Sequence, residues 1–144
     1  MAKNLPGRPL GGVGGKFAGL EKINVLDFSK LLPGPYATQV LADLGCRVTR
    51  VELPYFGDIT RELPPKIGGV GSAYWIINQG KKRLIFDFRG KPGMRRMRAL
   101  LRKADVVVEG FRPGLMDRIG LGYDAARRLN PRLIYCSISG YHPD

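Results

Sequence analysis

Residues 23–52 read INVLDFSKLLPGPYATQVLADLGCRVTRVE, and the way this stretch divides decides the fold. Ile23, Val25, Leu26 and Phe28 form a short apolar run of β type that ends at the polar pair Ser29-Lys30. Past Leu31 and Leu32 comes the sequence Pro33-Gly34-Pro35. Tyr36, Ala37, Val40, Leu41 and Leu44 then recur at helical spacing and stop at Gly45, a residue that tolerates the positive φ of a helix C-terminus. Cys46–Glu52 reads as a second strand, with β-branched Val48 and Val51 as its anchors.

The same alternation continues outward. A Pro- and Gly-rich loop is expected from Leu53 to Gly71, longer than most connections and so a candidate functional segment. Ser72 stands where it can cap a short helix over Ala73–Asn78. Leu84–Phe88 reads as a third strand. Pro92 suits a first helical turn, and Met94, Met97, Leu101 and Ala104 mark one face of the helix that follows. Asp105–Glu109, three valines between acidic residues, is a buried-type strand. Asp124–Leu129 reads as a helix and Arg132–Ile138 as a last strand. Strands separated by helices imply right-handed crossovers and a parallel sheet with helices on both faces, an α/β, Rossmann-like fold. The chain stops where a loop would open after the last strand, which reads as an incomplete domain.

Composition narrows the function classes. A 144-residue chain that is 44% hydrophobic can pack a core, and its apolar runs are too short to span a bilayer. Two cysteines and one histidine make neither a disulfide framework nor a zinc site, so no metal is expected. A reducing compartment fits: the cytoplasm, or a mitochondrion or peroxisome in a eukaryote. The first 20 residues, MAKNLPGRPLGGVGGKFAGL, lack the apolar core of a secretory signal and read as a flexible leader, residues 21–144 forming the domain proper. The formal net charge of +12 calls for a polyanionic partner, whether nucleic acid, anionic lipid or a phosphorylated cofactor.

Three segments carry candidate chemistry. The turn from Ser29 to Pro35 places backbone N–H groups at a helix start, where a phosphate or carbonyl oxygen can be held, although it is neither GxGxxG nor a P-loop. Ten cations lie between Lys81 and Lys103, opposed only by Asp87. They read either as a solvated face or as a phosphate clamp, for nucleic acid or for a nucleotide-like cofactor. Phe86 and Phe88 share one face of the expected third strand, and read either as open rings for single-stranded nucleic acid or simply as core. Gly110-Phe111-Arg112-Pro113-Gly114, after the Asp105–Glu109 strand, offers an aromatic and a cation at the carboxyl edge of the sheet, a place for a flat ring with charged substituents. Nothing marks Asp27, Asp43 or Asp117 as a general acid or base, and Asp43 is expected to pair with a neighbouring arginine. His142 has no identifiable partner. Cys46 and Cys136 are expected to be buried, inert thiols.

VLDFSKLLPGPYATQVLADLGCRVTRVE, NQGKKRLIFDF and ADVVVEGFRPGLMDRIGLGYDAARRLNPRLIYCSISGY closely resemble the N-terminal part of the class III CoA-transferase (CaiB/BaiF) family, which includes the α-methylacyl-CoA racemases. The resemblance runs from about Leu20 to Tyr141. It implies a Rossmann-like domain of a larger, interlocked homodimer, with coenzyme A or acyl-CoA along the carboxyl edge of the sheet. The positions matching the family's CoA contacts are Lys30, Leu31, Pro33, Phe86, Asp87, Phe88, Arg89, Gly110, Phe111 and Arg118, and the adenine is expected near Phe111. The partners implied are an acyl-CoA and a carboxylic acid; nucleic acid is the weaker alternative and no membrane is implied. The arginine that commonly follows the family's second strand is Leu53 here, with Arg50 or Arg61 nearby to take its place. The family's catalytic Asp, and the racemases' His-Asp pair, match nothing in residues 1–144, and the chain alone is expected to be inactive. EGFRPGLMDRIGLG looks slightly closer to the racemase-like branch, so proton transfer at Cα stands beside CoA transfer as an alternative.

Overall fold

The computed structural model describes residues 19–55 and 57–140. Of the leader expected over residues 1–20, residues 1–18 lie outside the described residues, as does the candidate His142; Leu20 opens a 3₁₀ turn, Leu20–Lys22. Five strands form one sheet: β1 (Asn24–Asp27), β2 (Arg47–Glu52), β5 (Lys82–Ile85), β6 (Val106–Glu109) and β7 (Ile134–Ser137). Their order is β5-β2-β1-β6-β7 and every pairing is parallel. The α/β, Rossmann-like expectation is met. The connections are α1 (Pro33–Asp43), α2 (Ser72–Ile76), α3 (Lys91–Leu101), α4 (Leu115–Arg118) and α5 (Tyr123–Leu129).

The two faces of the sheet follow the strict alternation of side chains along each strand. Leu26, Phe28, Val51 and Val107 point to the face covered by Met97 and Leu101 of α3, with Met116 and Leu121 beyond them. Val25, Val48 and Val108 point to the other face, where Leu41 and Ala42 of α1 pack. Met97 and Leu101 are 0% and 1% exposed, so the amphipathic pattern read into α3 is the one the fold uses.

Boundaries differ where local chemistry competes. Pro33-Gly34-Pro35 forms the first turn of α1 and does not precede it, since proline is pre-shaped for that position and needs no N–H there. β5 ends at Ile85, so Phe86 and Phe88 lie beyond the strand and do not form a strand face. Phe88 is buried edge-on against Phe28 with 6.1 Å between ring centres, and burial of the aromatic pair outweighs continuation of the edge strand. The expected loop from Leu53 to Gly71 holds a single 3₁₀ turn (Ile59–Arg61) and a small hairpin, β3 (Lys66–Ile67) with β4 (Val70–Gly71). Cys46 is buried as expected, but Cys136 is exposed, because it shares with Ile134 the outer face of β7, opposite the Tyr135 face that packs on the core. Asp43 accepts a hydrogen bond from Gln39 Nε2 at 2.9 Å, in place of the expected arginine pair. No helix among the described residues is long and apolar enough to cross a membrane.

Gly93 tests how closely α3 is seated. A Cβ there would run into the carbonyl oxygen of Asp87, so the helix start lies directly on the β5–α3 turn. Alanine would gain about 1 kcal/mol in helix propensity, whereas overpacking against a fixed backbone atom costs about 1–3 kcal/mol. Gly93→Ala is therefore expected to lower the urea midpoint of unfolding, and an unchanged or higher midpoint would show that the turn yields.

Candidate functional site

The chain lays down β1, β2 and β5 towards one edge of the sheet, then returns to add β6 and β7 on the other side of β1. The loops after β1 and β6 therefore diverge and leave a crevice at the carboxyl ends of these two strands, where open α/β sheets bind ligands. A cleft of about 530 Å³ occupies that place. Lys30 and Leu31 come to it from the β1–α1 loop, Gly110, Phe111 and Arg118 from the segment after β6. Five residues singled out from two separate stretches of sequence thus line one cavity. Pro33 follows directly on this wall, exposed at the first position of α1.

Phe86, Asp87, Phe88 and Arg89 are not brought there. They follow β5, an edge strand separated from β1 by β2. Phe86 packs against the core beneath the Arg96 guanidinium, 4.5 Å from the ring centre, and Phe88 is buried. Asp87 and Arg89 pair on the surface, with Arg89 Nη2 and Nε at 2.8 Å and 3.0 Å from the two carboxylate oxygens. Hydrogen bonds from the Arg89 side chain and backbone hold the Asp87 carboxyl down to about 2.

The basic stretch divides in the same way. Lys81 is no surface cation: its side chain is 1% exposed, and Nζ donates to Pro35 O, Thr38 Oγ1, Asn78 Oδ1 and Asp27 Oδ2 at 2.7–3.2 Å. Arg50 cannot stand in for the arginine replaced by Leu53, because its guanidinium is buried among three carboxylates. Nε donates to Glu52 at 2.8 Å, Nη2 to Asp58 at 2.6 Å, and Nη1 lies 3.4 Å from Asp27. Arg61 stacks on the Tyr74 ring at 4.6 Å, and Leu53 itself packs on the core. The cations lining the cleft are Lys30, Arg112 and Arg118. Arg112 also borders a second cavity of about 570 Å³ on the β7 side, which Glu109, Tyr135 and Ser137 help to line.

Sequence reading passed over the carboxylates that shape this rim. Asp27 Oδ1 accepts the N–H and hydroxyl of Ser29. Glu109 Oε2 accepts the Phe111 N–H at 2.8 Å. Asp58 Oδ1 accepts the Thr60 N–H and hydroxyl, and its Oδ2 accepts the Leu31 N–H at 3.0 Å from the neighbouring loop after β2. The one local signal was Asp58-Ile59-Thr60, an acidic residue two places before a threonine, which favours such a turn. Leu31 has a φ of +66°, in the left-handed region that disfavours side chains. That conformation costs about 1–2 kcal/mol, while a hydrogen bond to a charged acceptor contributes about 1.5–3 kcal/mol, so the Asp58 contact suffices to hold it.

The residues match the model for CoA-transferase family III over 20–144. The chain belongs to that family. It is 38% identical over 141 residues to an acetyl-CoA:oxalate CoA-transferase of Acetobacter aceti, covering 98% of this chain and 34% of that one. With a succinyl-CoA:glutarate CoA-transferase of Mus musculus it shares 37% over 153 residues, again 98% of this chain and 35% of the relative. Among solved structures, the hypothetical protein Rv3272 of Mycobacterium tuberculosis superposes with a TM-score of 0.80 at 39% identity, over 87% of this chain and 34% of that one. A CaiB/BaiF family protein of Brucella suis gives 0.77 at 38%, over 83% and 32%. The chain thus spans about a third of the length of these relatives. Among the described residues of this family III chain, no group of three or more His, Cys, Asp or Glu is arranged to hold a metal ion.

The ionic cluster has a signature in pH. Burial pushes the Lys81 ammonium from the ordinary 10.5 down to about 8, against the attraction of Asp27. Between these values the unfolded chain holds a proton that the folded chain has released, so stability from this group rises with pH across that window. The unfolding free energy of the native sequence minus that of Lys81→Met is expected to grow from pH 8 to pH 10; a flat or falling difference would place the folded ammonium at or above its ordinary range.

Proposed function

We propose that this half-sheet holds the CoA portion of an acyl-CoA in an enzyme that moves CoA between a thioester and a free carboxylic acid. The observation that carries the proposal is the convergence of Lys30, Arg112 and Arg118 with the Phe111 turn on one cleft at the β1/β6 switch point, in a chain of this family. Guanidinium groups match phosphate oxygens in shape and charge, and an aromatic turn beside them suits an adenine ring. Membership in a family of CoA-transferases, and the activities named for both relatives above, favour CoA transfer over racemisation.

In the proposed reaction a carboxylate attacks the thioester carbonyl, the C–S bond breaks, and the acyl group stays as a mixed anhydride while CoA leaves as the thiolate. The bound thiolate then attacks the enzyme's own carbonyl in that anhydride, releasing the first acid and leaving an enzyme thioester. The incoming carboxylate attacks this thioester to form a second anhydride, whose acyl carbonyl takes the thiolate, giving the new acyl-CoA and the free enzyme carboxylate. The family's pattern gives this carboxylate role to an aspartate that matches no residue of this chain, so the part proposed for residues 19–140 is to bind and orient. A homodimer, as the family resemblance implies, belongs to the same proposal.

A nucleic-acid platform is disfavoured by the same geometry. Stacking on single strands needs open aromatic faces, whereas Phe88 is buried, Phe86 lies against the core under Arg96, and Lys81 is enclosed. Calorimetry on the full-length polypeptide is expected to show CoA binding that Arg118→Ala weakens about tenfold to a hundredfold, as for loss of one charged hydrogen bond. RNA is expected to compete only at low salt. Absence of heat with CoA and with its thioesters would overturn the proposal.

A further inference from the structure

We infer that Asp58 is a positioning residue for the cleft: by accepting the Leu31 N–H from the neighbouring loop after β2, it holds Leu31 in the left-handed conformation and fixes the β1 side of the CoA-binding mouth. This rests on the function proposed above for the cleft, and it assigns a role there to a residue that sequence reading passed over.

Three observations converge. Asp58 is 2% exposed and its carboxylate is saturated by donors, two from Thr60 on its own loop and two from elsewhere, Leu31 and Arg50. The bond to Leu31 joins segments 27 residues apart in the chain, both of which line the cleft. Leu31 is the one non-glycine among the described residues with positive φ, so its backbone needs an external hold that a glycine would not. Arg50 completes the device. Its guanidinium spans from Asp58 to Asp27, whose other oxygen takes the Ser29 N–H, so both ends of the Ser29–Leu31 turn are fastened to one buried cation. The facing charged groups are Asp27 on β1, Arg50 and Glu52 on β2, and Lys81 before β5.

The test uses the full-length polypeptide with Asp58→Ala and the gentler Asp58→Asn, which keeps the shape and one acceptor oxygen but loses the charge. Amide exchange at Leu31 is expected to speed up at least about tenfold in either variant while β1 and β6 stay protected. The dissociation constant for CoA is expected to rise about tenfold, and KM for the thioester to rise more than kcat falls. Leu31→Asn supplies the specific control, since asparagine accepts the left-handed region without help. In that background the cost of the Asp58 change is expected to shrink to less than about threefold, a coupling that a general loss of stability would not produce.

Should Asp58→Ala fail to fold, the same cycle with Asp58→Asn decides. Equal losses in the native and Leu31→Asn backgrounds, or an unaltered Leu31 amide, would overturn the assignment. If the native protein ignores CoA, the functional proposal fails, while the exchange measurement still decides whether Asp58 holds the turn.

Discussion

The buried guanidinium of Arg50 is the constraint around which the carboxyl end of this sheet is organised. It meets Asp27, Glu52 and Asp58, each of which has further donors of its own: Ser29, Thr38 and Lys81 on the first, Tyr74 and Arg83 on the second, Thr60 and Leu31 on the third. Three cations, Arg50, Lys81 and Arg83, therefore balance three carboxylates. Burial opposes the charge on Arg50, but Asp27 and Glu52 outweigh it and raise its pKa above the ordinary value. Glu52 is shifted down by the same bonds, again against burial. Such a cluster is a poor source of net stability, because desolvating the ions offsets most of their attraction. Removing one member is another matter, since the survivors are left charged and unpaired, at about 3–5 kcal/mol. The cluster therefore contributes geometry more than strength. One face of the sheet is apolar near the start of the strands, with Val25 and Val48, and ionic near their ends, and the ionic half sets the loops that border the cleft.

This explains what the sequence disclosed and what it withheld. The parallel α/β architecture was legible because period and punctuation agree: β-branched runs alternate with Met97–Leu101-type helical spacing, and Gly45 stops α1 where expected. Half of the cleft was legible as well, since Lys30, Leu31, Gly110, Phe111 and Arg118 do converge. The ionic cluster was not. Arg50, Glu52 and Lys81 look in one dimension like members of a basic, solvated chain, and only the pairing of β1 with β2 and β5 reveals them as each other's partners. The same ambiguity made Arg50 a plausible substitute at the cofactor and placed Lys81 in a surface cluster. Phe86 and Phe88 differ from expectation only in where the strand stops. Both pack into the core, as one reading had it, but Phe86 donates the last edge bond, to Glu52 O at 3.2 Å, and Phe88 turns in against Phe28.

Among the described residues the cations fall into two populations with different physics. One, Arg50 and Lys81, is buried and neutralised, and adds little to the long-range field. The other reaches solvent: Arg95, Arg98, Arg102 and Lys103 on α3 and after it, the cations of the cleft, and scattered positions such as Arg47 and Lys82. Exposed cations raise the local concentration of any polyanion without choosing among them. On the function proposed above, selection falls to the cleft, which Arg112 and Arg118 line together with Phe111 and Leu31.

The β1 side of that cleft is formed without the usual device. Nucleotide-binding loops in this class of fold commonly place glycines where the backbone turns into the left-handed region or approaches a phosphate. The β1–α1 loop carries Leu31 at the left-handed position instead, and the missing glycine is compensated by a carboxylate from another part of the chain. A glycine loop is permissive, and its order is completed by the ligand. A leucine held by Asp58 is ordered before any ligand arrives, and its side chain, 54% exposed, is presented outward at the mouth of the cleft. On that logic the entropic cost of ordering the mouth is borne in folding, through the Arg50 cluster, and not in binding. The buried ions and the cleft are then two halves of one arrangement: charges that gain the fold little in stability set the backbone where, on the proposed function, the ligand is held.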